Sequence, residues 1–494
     1  MNDLVIPIRR VARFSFILLL ILVGQLTYLQ LVHADALKND PHNVRTLINE
    51  FGRPRGDIVT IDNQVVAYSD KSNDELKYQR FYPKGALYGQ ITGYQSFLVG
   101  NTGVESAYNS ALVGKKGEEQ NVPRVVLSIR DDIQQDLATQ LGDRTGAIIV
   151  MEASTGAIVG MYANPSFDPT PMAGHDSNDV QVAYSQLIND KEKPSVSRAF
   201  AERYPPGSTF KIVTASSAID LKIADAEREF PQAFSFTPPL TDKEIKNFGG
   251  GACGSTLQAS FRKSCNVTFA KLGVEMGNDF VPQMEEFTVG GELQNDQNVG
   301  PVPPLDIPGS VGATAPLENS FKTDAPSFAF AGIGQGKVST SPLTVALYTS
   351  AIANRGFIPT PHVVDHLEDG KGNITKRIGL SPWKENVVEP ATAQAVNDFM
   401  IDVVLRGTGT RAQVKGVKVA GKTGTAQANC ADGTTTCPPH AWFTSYAPAD
   451  NPQYVVTVFI QQASGKALSA DAATGGALAA PIAKSVYEKL FNLR

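Results

Sequence analysis

Three adjacent stretches decide how the larger part of the chain is read. They are Gly146-Ala147-Ile148-Ile149-Val150-Met151, the polar step Glu152-Ala153-Ser154-Thr155-Gly156, and Ala157-Ile158-Val159-Gly160-Met161-Tyr162. Two short apolar strands around a Ser-Thr-Gly turn are a β-hairpin signal, and a new domain begins near Gly146. Strand-like runs recur towards the C-terminus at Val417 to Ala420, Trp442 to Ala447 and Tyr454 to Ile460, and Ala477 to Leu490 reads as a closing helix. Between these ends, Ser208 to Leu221 is apolar on nearly all faces, as a buried helix is. Thr288 to Pro326, rich in Gly, Pro, Asn and Asp, reads as a long irregular excursion. Strands at both ends with helices between them predict an α/β domain of the α+β kind over residues 146–494.

Upstream, residues 33–145 are polar, with short alternating runs such as Asp57-Ile58-Val59-Thr60-Ile61. They predict a small strand-rich module with many turns. Gly114 to Pro123 reads as a loop or linker, Val125 to Ile129 as a strand, and Asp131 to Leu141 as an amphipathic helix carrying Ile133, Leu137 and Leu141 on one face. Phe14 to Val32 holds no Asp, Glu, Lys, Arg or His. At about 1.5 Å per residue it nearly spans a hydrocarbon core of about 30 Å. Arg9, Arg10 and Arg13 precede this stretch, so residues 1–13 are expected in the cytoplasm and everything beyond residue 32 outside. Ala34-Asp35-Ala36 resembles a signal-peptide cleavage site, but the apolar stretch is longer than a signal core, which favours an uncleaved, single-pass anchor.

The chain of 494 residues has 42% hydrophobic and 19% charged residues, enough apolar material for buried cores. Its net charge of −5 leaves no basic excess for neutralising phosphates, which argues against a nucleic-acid partner. Four cysteines form no C-x-x-C, so no metal site is expected. They fall into two local pairs, Cys253 with Cys265 and Cys430 with Cys437. These are read either as short-range disulfides of an exported protein or as four unpaired thiols.

Three short motifs carry the chemistry, in chain order: Ser208-Thr209-Phe210-Lys211, Ser264-Cys265-Asn266 and Lys422-Thr423-Gly424-Thr425. An S-x-x-K alone means little, since roughly two are expected by chance in a chain this long. This chain has three, and context separates them. Ser381/Lys384 lies in a turn-like Pro-Trp setting, and Ser260/Lys263, with Arg262 between its members, reads as a solvated helix start. Ser208 instead follows Pro205-Pro206-Gly207 and opens an apolar helix, which puts Lys211 one turn later on the same face. Burial and the positive helix end both disfavour an ammonium, so Lys211 can act as the base that activates Ser208. On the same reading Ser264 relays a proton to a leaving amine, and Asn266 offers its amide to a substrate backbone. Lys422 adds a positive charge that lowers the Lys211 pKa. Thr423 and Thr425 can hold a terminal carboxylate, while Gly424 permits close backbone approach. The N–H groups of Ser208 and Thr425 would form an oxyanion hole.

S-x-x-K, S-x-N and K-T-G in this order are the signature of penicillin-recognising serine enzymes. With Arg55-Gly56-Asp57-Ile58, Gly103-Val104-Glu105, Asn164-Pro165-Ser166-Phe167-Asp168-Pro169, Gly332-Ile333-Gly334-Gln335 and Thr474 to Pro481, the chain resembles the class B penicillin-binding proteins, and among them the actinobacterial penicillin-binding protein A group. The resemblance implies an anchor over residues 14–32, an elongated pedestal resembling a dimerisation module over 33–145, and a serine β-lactamase-like transpeptidase domain with a central antiparallel sheet flanked by helices. It implies D,D-transpeptidation of peptidoglycan stem peptides at their D-Ala-D-Ala ends without a cofactor, acylation by β-lactams, and a SEDS-type membrane glycosyltransferase partner. The middle residue of the second motif is Cys265, where β-lactamases have Asp. Paired with Cys253, it would brace the motif from behind, and Cys430 with Cys437 would brace a lip of the cleft.

Three rival readings remain. A D,D-carboxypeptidase would hand the same acyl-enzyme to water. A β-lactamase or β-lactam sensor is disfavoured by the pedestal and by the lack of a signalling region. A non-catalytic cell-wall scaffold is disfavoured by the complete set of acyl-transfer residues. His440, beyond the second cysteine pair, reads as a structural loop histidine rather than a base.

Overall fold

The computed structural model describes residues 5–31, 51–114, 122–379, 381–427, 438–463 and 473–493. Cys430 and Cys437, with the lip expected around them, lie outside the described residues. The first element is a 27-residue helix, Val5–Leu31. Its stretch Pro7–Leu31 is long and apolar enough to cross a membrane and is nowhere buried against the protein. At about 1.5 Å per residue the helix runs about 40 Å, more than a hydrocarbon core requires.

A six-stranded sheet follows, in the order Ile374–Arg377, Val364–Glu368, Arg124–Leu127, Ile58–Val59, Val65–Lys71, Tyr78–Phe81. It draws strands from both sides of residue 146: Val126 pairs with Val59 on one side and with His366 on the other. The short apolar runs form strands because their side chains are fully or nearly fully buried, Ile58, Val59, Val125 and Leu127 among them. Two of the motifs without an evident role in the sequence meet here. Arg55 Nε and Arg80 Nε each stand 2.6 Å from a carboxylate oxygen of Glu105, and all three side chains are almost completely buried. Burial by itself would raise the Glu105 carboxyl, but the charges and hydrogen bonds of Arg55 and Arg80 together outweigh it and hold the carboxyl below its usual range.

The second sheet is five-stranded and antiparallel, in the order Ala420–Ala426, His440–Ala447, Tyr454–Ile460, Gly146–Glu152, Ile158–Asn164. The hairpin around Glu152 to Gly156 supplies its last two strands, with Ala147 opposite Ala163. Both faces are covered. Ile148, Val150, Val456 and Val458 pack with Leu137 of the helix Asp131–Leu141 and Val486 of the C-terminal helix Ala480–Leu490. Ile149, Met151, Val455 and Phe459 turn to the other core, which contains Leu347 of the helix Pro342–Ala353 and Ile212 of the helix Lys211–Asp220. Burial on both faces explains why these strands read as continuous apolar runs rather than alternating ones.

Several boundaries differ from expectation. The strand expected at Val417 to Ala420 is Ala420–Ala426, so it carries the whole Lys-Thr-Gly-Thr motif. The helix expected from Ser208 begins as a tight turn, Gly207–Phe210, and becomes α-helical at Lys211–Asp220. The excursion Thr288 to Pro326 holds a hairpin, Glu292–Gln294 with Gln297–Val299, and the start of the helix Phe321–Ala331, which tolerates Pro326 because it is already broken at Asp324. The closing helix is entered through a wide turn, Gly475–Ala479.

Candidate active site

Gly207 sets the geometry of the turn that carries Ser208. Its φ is +53°, a conformation open to glycine, and its N–H donates to Gly334 O at 2.9 Å. Gly334, itself at φ +71°, lies so close that a Cβ there would collide with Gly207 O. The motif Gly332 to Gln335 thus supports the Ser208 turn from beneath, and Thr214 Oγ1 donates to Gly332 O at 3.0 Å. In the tight turn, side chains three apart eclipse, which brings the half-buried Ser208 and the fully buried Lys211 to one face. Among the described residues the Ser208 hydroxyl makes no hydrogen bond.

Lys211 Nζ donates to Ser264 O at 2.7 Å and to Asn266 Oδ1 at 2.8 Å, and lies 3.3 Å from Ser264 Oγ. Lys422 Nζ approaches the same hydroxyl, at 2.9 Å. One serine oxygen therefore sits between two buried amines, and no carboxylate among the described residues is bonded to either. Phe269 and Phe261 stand beside them, with ring centroids 5.3 Å from Lys211 Nζ and 5.4 Å from Lys422 Nζ. Burial pushes Lys211 well below the lysine range, and the neighbouring Lys422 charge adds to the shift. Burial brings Lys422 down to about 7. The two amines share a site too small for two full charges, so the first proton to leave belongs to the pair.

Ser264 ends the helix Leu257–Lys263 in the left-handed conformation, φ +60°, unusual for a residue with a side chain. Cys265 directly follows, begins the helix Asn266–Met276 and is disulfide-bonded to Cys253 on the strand Cys253–Thr256, with a Cα separation of 5.6 Å. The strained serine is thereby held by a covalent tether one residue away. Asn266 does more than offer an amide outward: its carbonyl accepts from Lys211, and its Nδ2 donates to Lys246 O at 2.9 Å.

The rejected S-x-x-K pairs have structural settings. Ser260 is fully buried in the middle of its helix rather than at a solvated start, with its hydroxyl 3.2 Å from Thr268 Oγ1. Lys384 donates to Glu285 O at 2.7 Å. His440 also departs from expectation. It opens a sheet strand opposite Ala426, packs between Tyr204 and Phe459, and accepts from Gln462 N at 3.0 Å. Burial lowers its pKa to about 4, so its ring is neutral near pH 7.

Along Ala420–Ala426 the side chains alternate. Lys422 turns to Ser264, and at Gly424 a Cβ would lie 2.9 Å from Pro206 O and 3.0 Å from Thr209 Cγ2, so glycine lets the strand close on the nucleophile turn. Thr423 is nearly buried on the other face, its hydroxyl 2.6 Å from Thr408 Oγ1. Thr425 is half-buried. Gly475 presses on Gly424 from behind, where any Cβ would collide. Thr408, Gly334 and Gly475 escaped the reading of the sequence. The last two stood within motifs that had no derivable role, while Thr408 lies in Gly407-Thr408-Gly409, which reads as an ordinary turn.

A helix-borne serine and lysine against an edge strand carrying a second lysine, with a third motif between them, define a serine acyl-transfer enzyme. Residues 146–488 match the penicillin binding protein transpeptidase domain, and residues 55–135 the penicillin binding protein A dimerisation domain. The peptidoglycan D,D-transpeptidase PbpA of Mycolicibacterium smegmatis is 32% identical over 97% of both chains, and that of Mycobacterium tuberculosis 31% over 97% of this chain and 98% of its own. Penicillin-binding protein A from M. tuberculosis, as its ceftriaxone acyl-enzyme complex, superposes with a TM-score of 0.78 at 28% identity over 89% of this chain and 99% of that one. The chain belongs to the penicillin-binding protein transpeptidase family.

Proposed function

We propose that this protein is a peptidoglycan D,D-transpeptidase that works through an acyl-enzyme on Ser208. The observation that carries the reading is the single hydroxyl of Ser264 held between Lys211 and Lys422, 3.3 and 2.9 Å away. A neutral Lys211 takes the proton of Ser208 as its Oγ attacks the carbonyl carbon of the penultimate D-Ala. The oxyanion that forms is met by the Ser208 and Thr425 N–H groups. Ser264 passes a proton to the departing nitrogen, the C–N bond breaks, and D-Ala leaves. An amine of a second stem peptide then attacks the ester, losing its proton along the same relay, and Ser208 is regenerated. Lys422 and the half-buried hydroxyl of Thr425 orient the terminal carboxylate, and Thr423, bonded to Thr408, supports that strand from its other face. Because Ala420–Ala426 is the edge of its sheet, its outer row of backbone groups can take the donor peptide as an added strand. β-Lactams acylate the same serine.

Support for placing this chemistry outside the membrane comes from Arg9, Arg10 and Arg13 at the start of the 27-residue apolar helix. A SEDS-type membrane glycosyltransferase as partner is proposed from family analogy alone.

Labelling with a fluorescent penicillin tests the nucleophile: wild type labels and Ser208→Ala does not, and equal labelling of both would reject the assignment. Supplying a D-amino acid acceptor with a D-Ala-D-Ala donor separates transfer from hydrolysis. Transfer product is expected, and hydrolysis alone would make the enzyme a carboxypeptidase.

A further inference from the structure

The segment leading into the nucleophile turn borders a second cavity. A space of about 260 Å³ opens between Arg203, the hairpin residues Gln294, Asn295 and Gln297, and the loop carrying Ser310. Its chemistry is uneven in an informative way. Arg203 is exposed, and no carboxylate among the described residues pairs with it. Its neighbour Glu202 is bonded instead to the Tyr204 hydroxyl. The Ser310 hydroxyl is withdrawn from solvent and has no hydrogen-bond partner. Three carboxamides of the hairpin, Gln294, Asn295 and Gln297, share the lining with Val299, Val302, Val311 and Gly312, and Val302 is 56% exposed. One cation, a hairpin bearing three amides, an unmatched hydroxyl and a valine-lined wall suit a ligand bearing a carboxylate and peptide groups.

The walls are built rather than loose. Gly300 N donates to Ala313 O at 2.6 Å and Val311 N to Phe200 O at 3.1 Å. Asn298, at the root of the hairpin, donates from Nδ2 to Pro316 O at 2.9 Å. The loop is also pinned at Asp306, which accepts from the N–H groups of Val363 and Val364 and from the hydroxyl of Tyr108 at 2.7, 3.0 and 2.8 Å. Arg203 stands five positions before Ser208, at most about 18 Å of extended backbone. A peptide whose end is acylated at Ser208 can reach that far.

We infer that this cavity is a subsite for the donor stem peptide, which binds, through Arg203, a free carboxylate that the peptide carries upstream of its D-Ala-D-Ala end. The inference rests on the transpeptidase reading and adds a specificity residue to it. The experiment compares two synthetic stem peptides that differ only in having a carboxylate or a carboxamide upstream of D-Ala-D-Ala. It measures kcat/KM for D-Ala release by the full-length protein in detergent. Wild type favours the carboxylate peptide by about five- to tenfold, the range of a partly exposed charged hydrogen bond. In Arg203→Gln that preference falls close to one, and in Arg203→Lys part of it returns. No preference in wild type, or the same preference in Arg203→Gln, overturns the subsite. If Arg203→Gln takes no penicillin label because it fails to fold, Gln297→Glu reads the same cavity. Its added negative charge lowers the preference, and an unchanged preference again overturns the inference. A wild type that takes no penicillin and releases no D-Ala would instead remove the transpeptidase reading.

Discussion

Lys211 and Lys422 are both buried, and their pKa values lie below those of an unfolded chain. The unfolded state therefore binds more protons, and the stability these groups withhold from the fold is regained as pH rises from about 7 towards the usual lysine range. Replacing Lys422 by Met removes that dependence. The denaturation midpoint of wild type relative to Lys422→Met is expected to climb between pH 7 and pH 10, and a pH-independent difference would contradict the burial argument. Catalysis gives a second test at the same residues. The Lys422 charge helps hold Lys211 neutral, so the acid limb of penicillin acylation should move to higher pH in Lys422→Met, measured by stopped-flow labelling. A limb that stays in place would show that desolvation alone sets the Lys211 proton.

Among the elements, the turn at Ser208 depends on a neighbour far away in sequence. A methyl group at Gly334 would meet Gly207 O on a backbone at φ +71°, so Gly334→Ala must either shift the nucleophile turn or strain itself. Acylation is expected to slow by about a hundredfold, the usual consequence of misplacing a reacting atom by about 1 Å. A normal second-order rate would show that the turn is supported from elsewhere. The disulfide bears on the second motif in the same way. Opening a tether between residues twelve apart should lower stability by about 2–3 kcal/mol and leave the left-handed Ser264 less firmly held. Cys253→Ser should show both effects, in its denaturant midpoint and its labelling rate.

What the sequence made legible follows the same physics. Ser208, Lys211, Ser264, Asn266 and Lys422 stood out because acyl transfer needs those residue types at those spacings. The paired strands Gly146–Glu152 and Ile158–Asn164 stood out because apolar runs flanked a turn. The sequence puts the strand Ala420–Ala426 too early, since Gly421-Lys422-Thr423-Gly424 has neither a strand's propensity nor its pattern; pairing with His440–Ala447 and packing against Gly475 and the Ser208 turn make it one. Ser260 reads as solvated because Arg262 stands beside it, but that arginine is paired with Asp402 of the helix Pro390–Arg406. His440 follows two prolines and so resembled a loop residue, although the sheet buries it.

At the scale of the whole molecule, the six-stranded sheet is shared across residue 146, and the Arg55–Glu105–Arg80 cluster lies beneath its N-terminal strands. Glu105→Gln would leave two buried guanidinium groups facing a neutral amide, at a cost of about 3–5 kcal/mol. Because the sheet joins the two regions, the loss should lower one common unfolding transition. Two separated transitions in calorimetry would mean that the region before residue 146 melts alone.

That shared sheet also constrains how the protein can be cut. A fragment beginning at residue 146 would lose the strand Arg124–Leu127 and bare one side of Val364–Glu368, a row of backbone donors and acceptors with no partner. It would also uncover the apolar face that the helix Asp131–Leu141 protects. Such a piece is poised to pair with copies of itself and to precipitate. A soluble catalytic fragment should therefore begin upstream of residue 124, so that it carries its own bordering strand and covering helix.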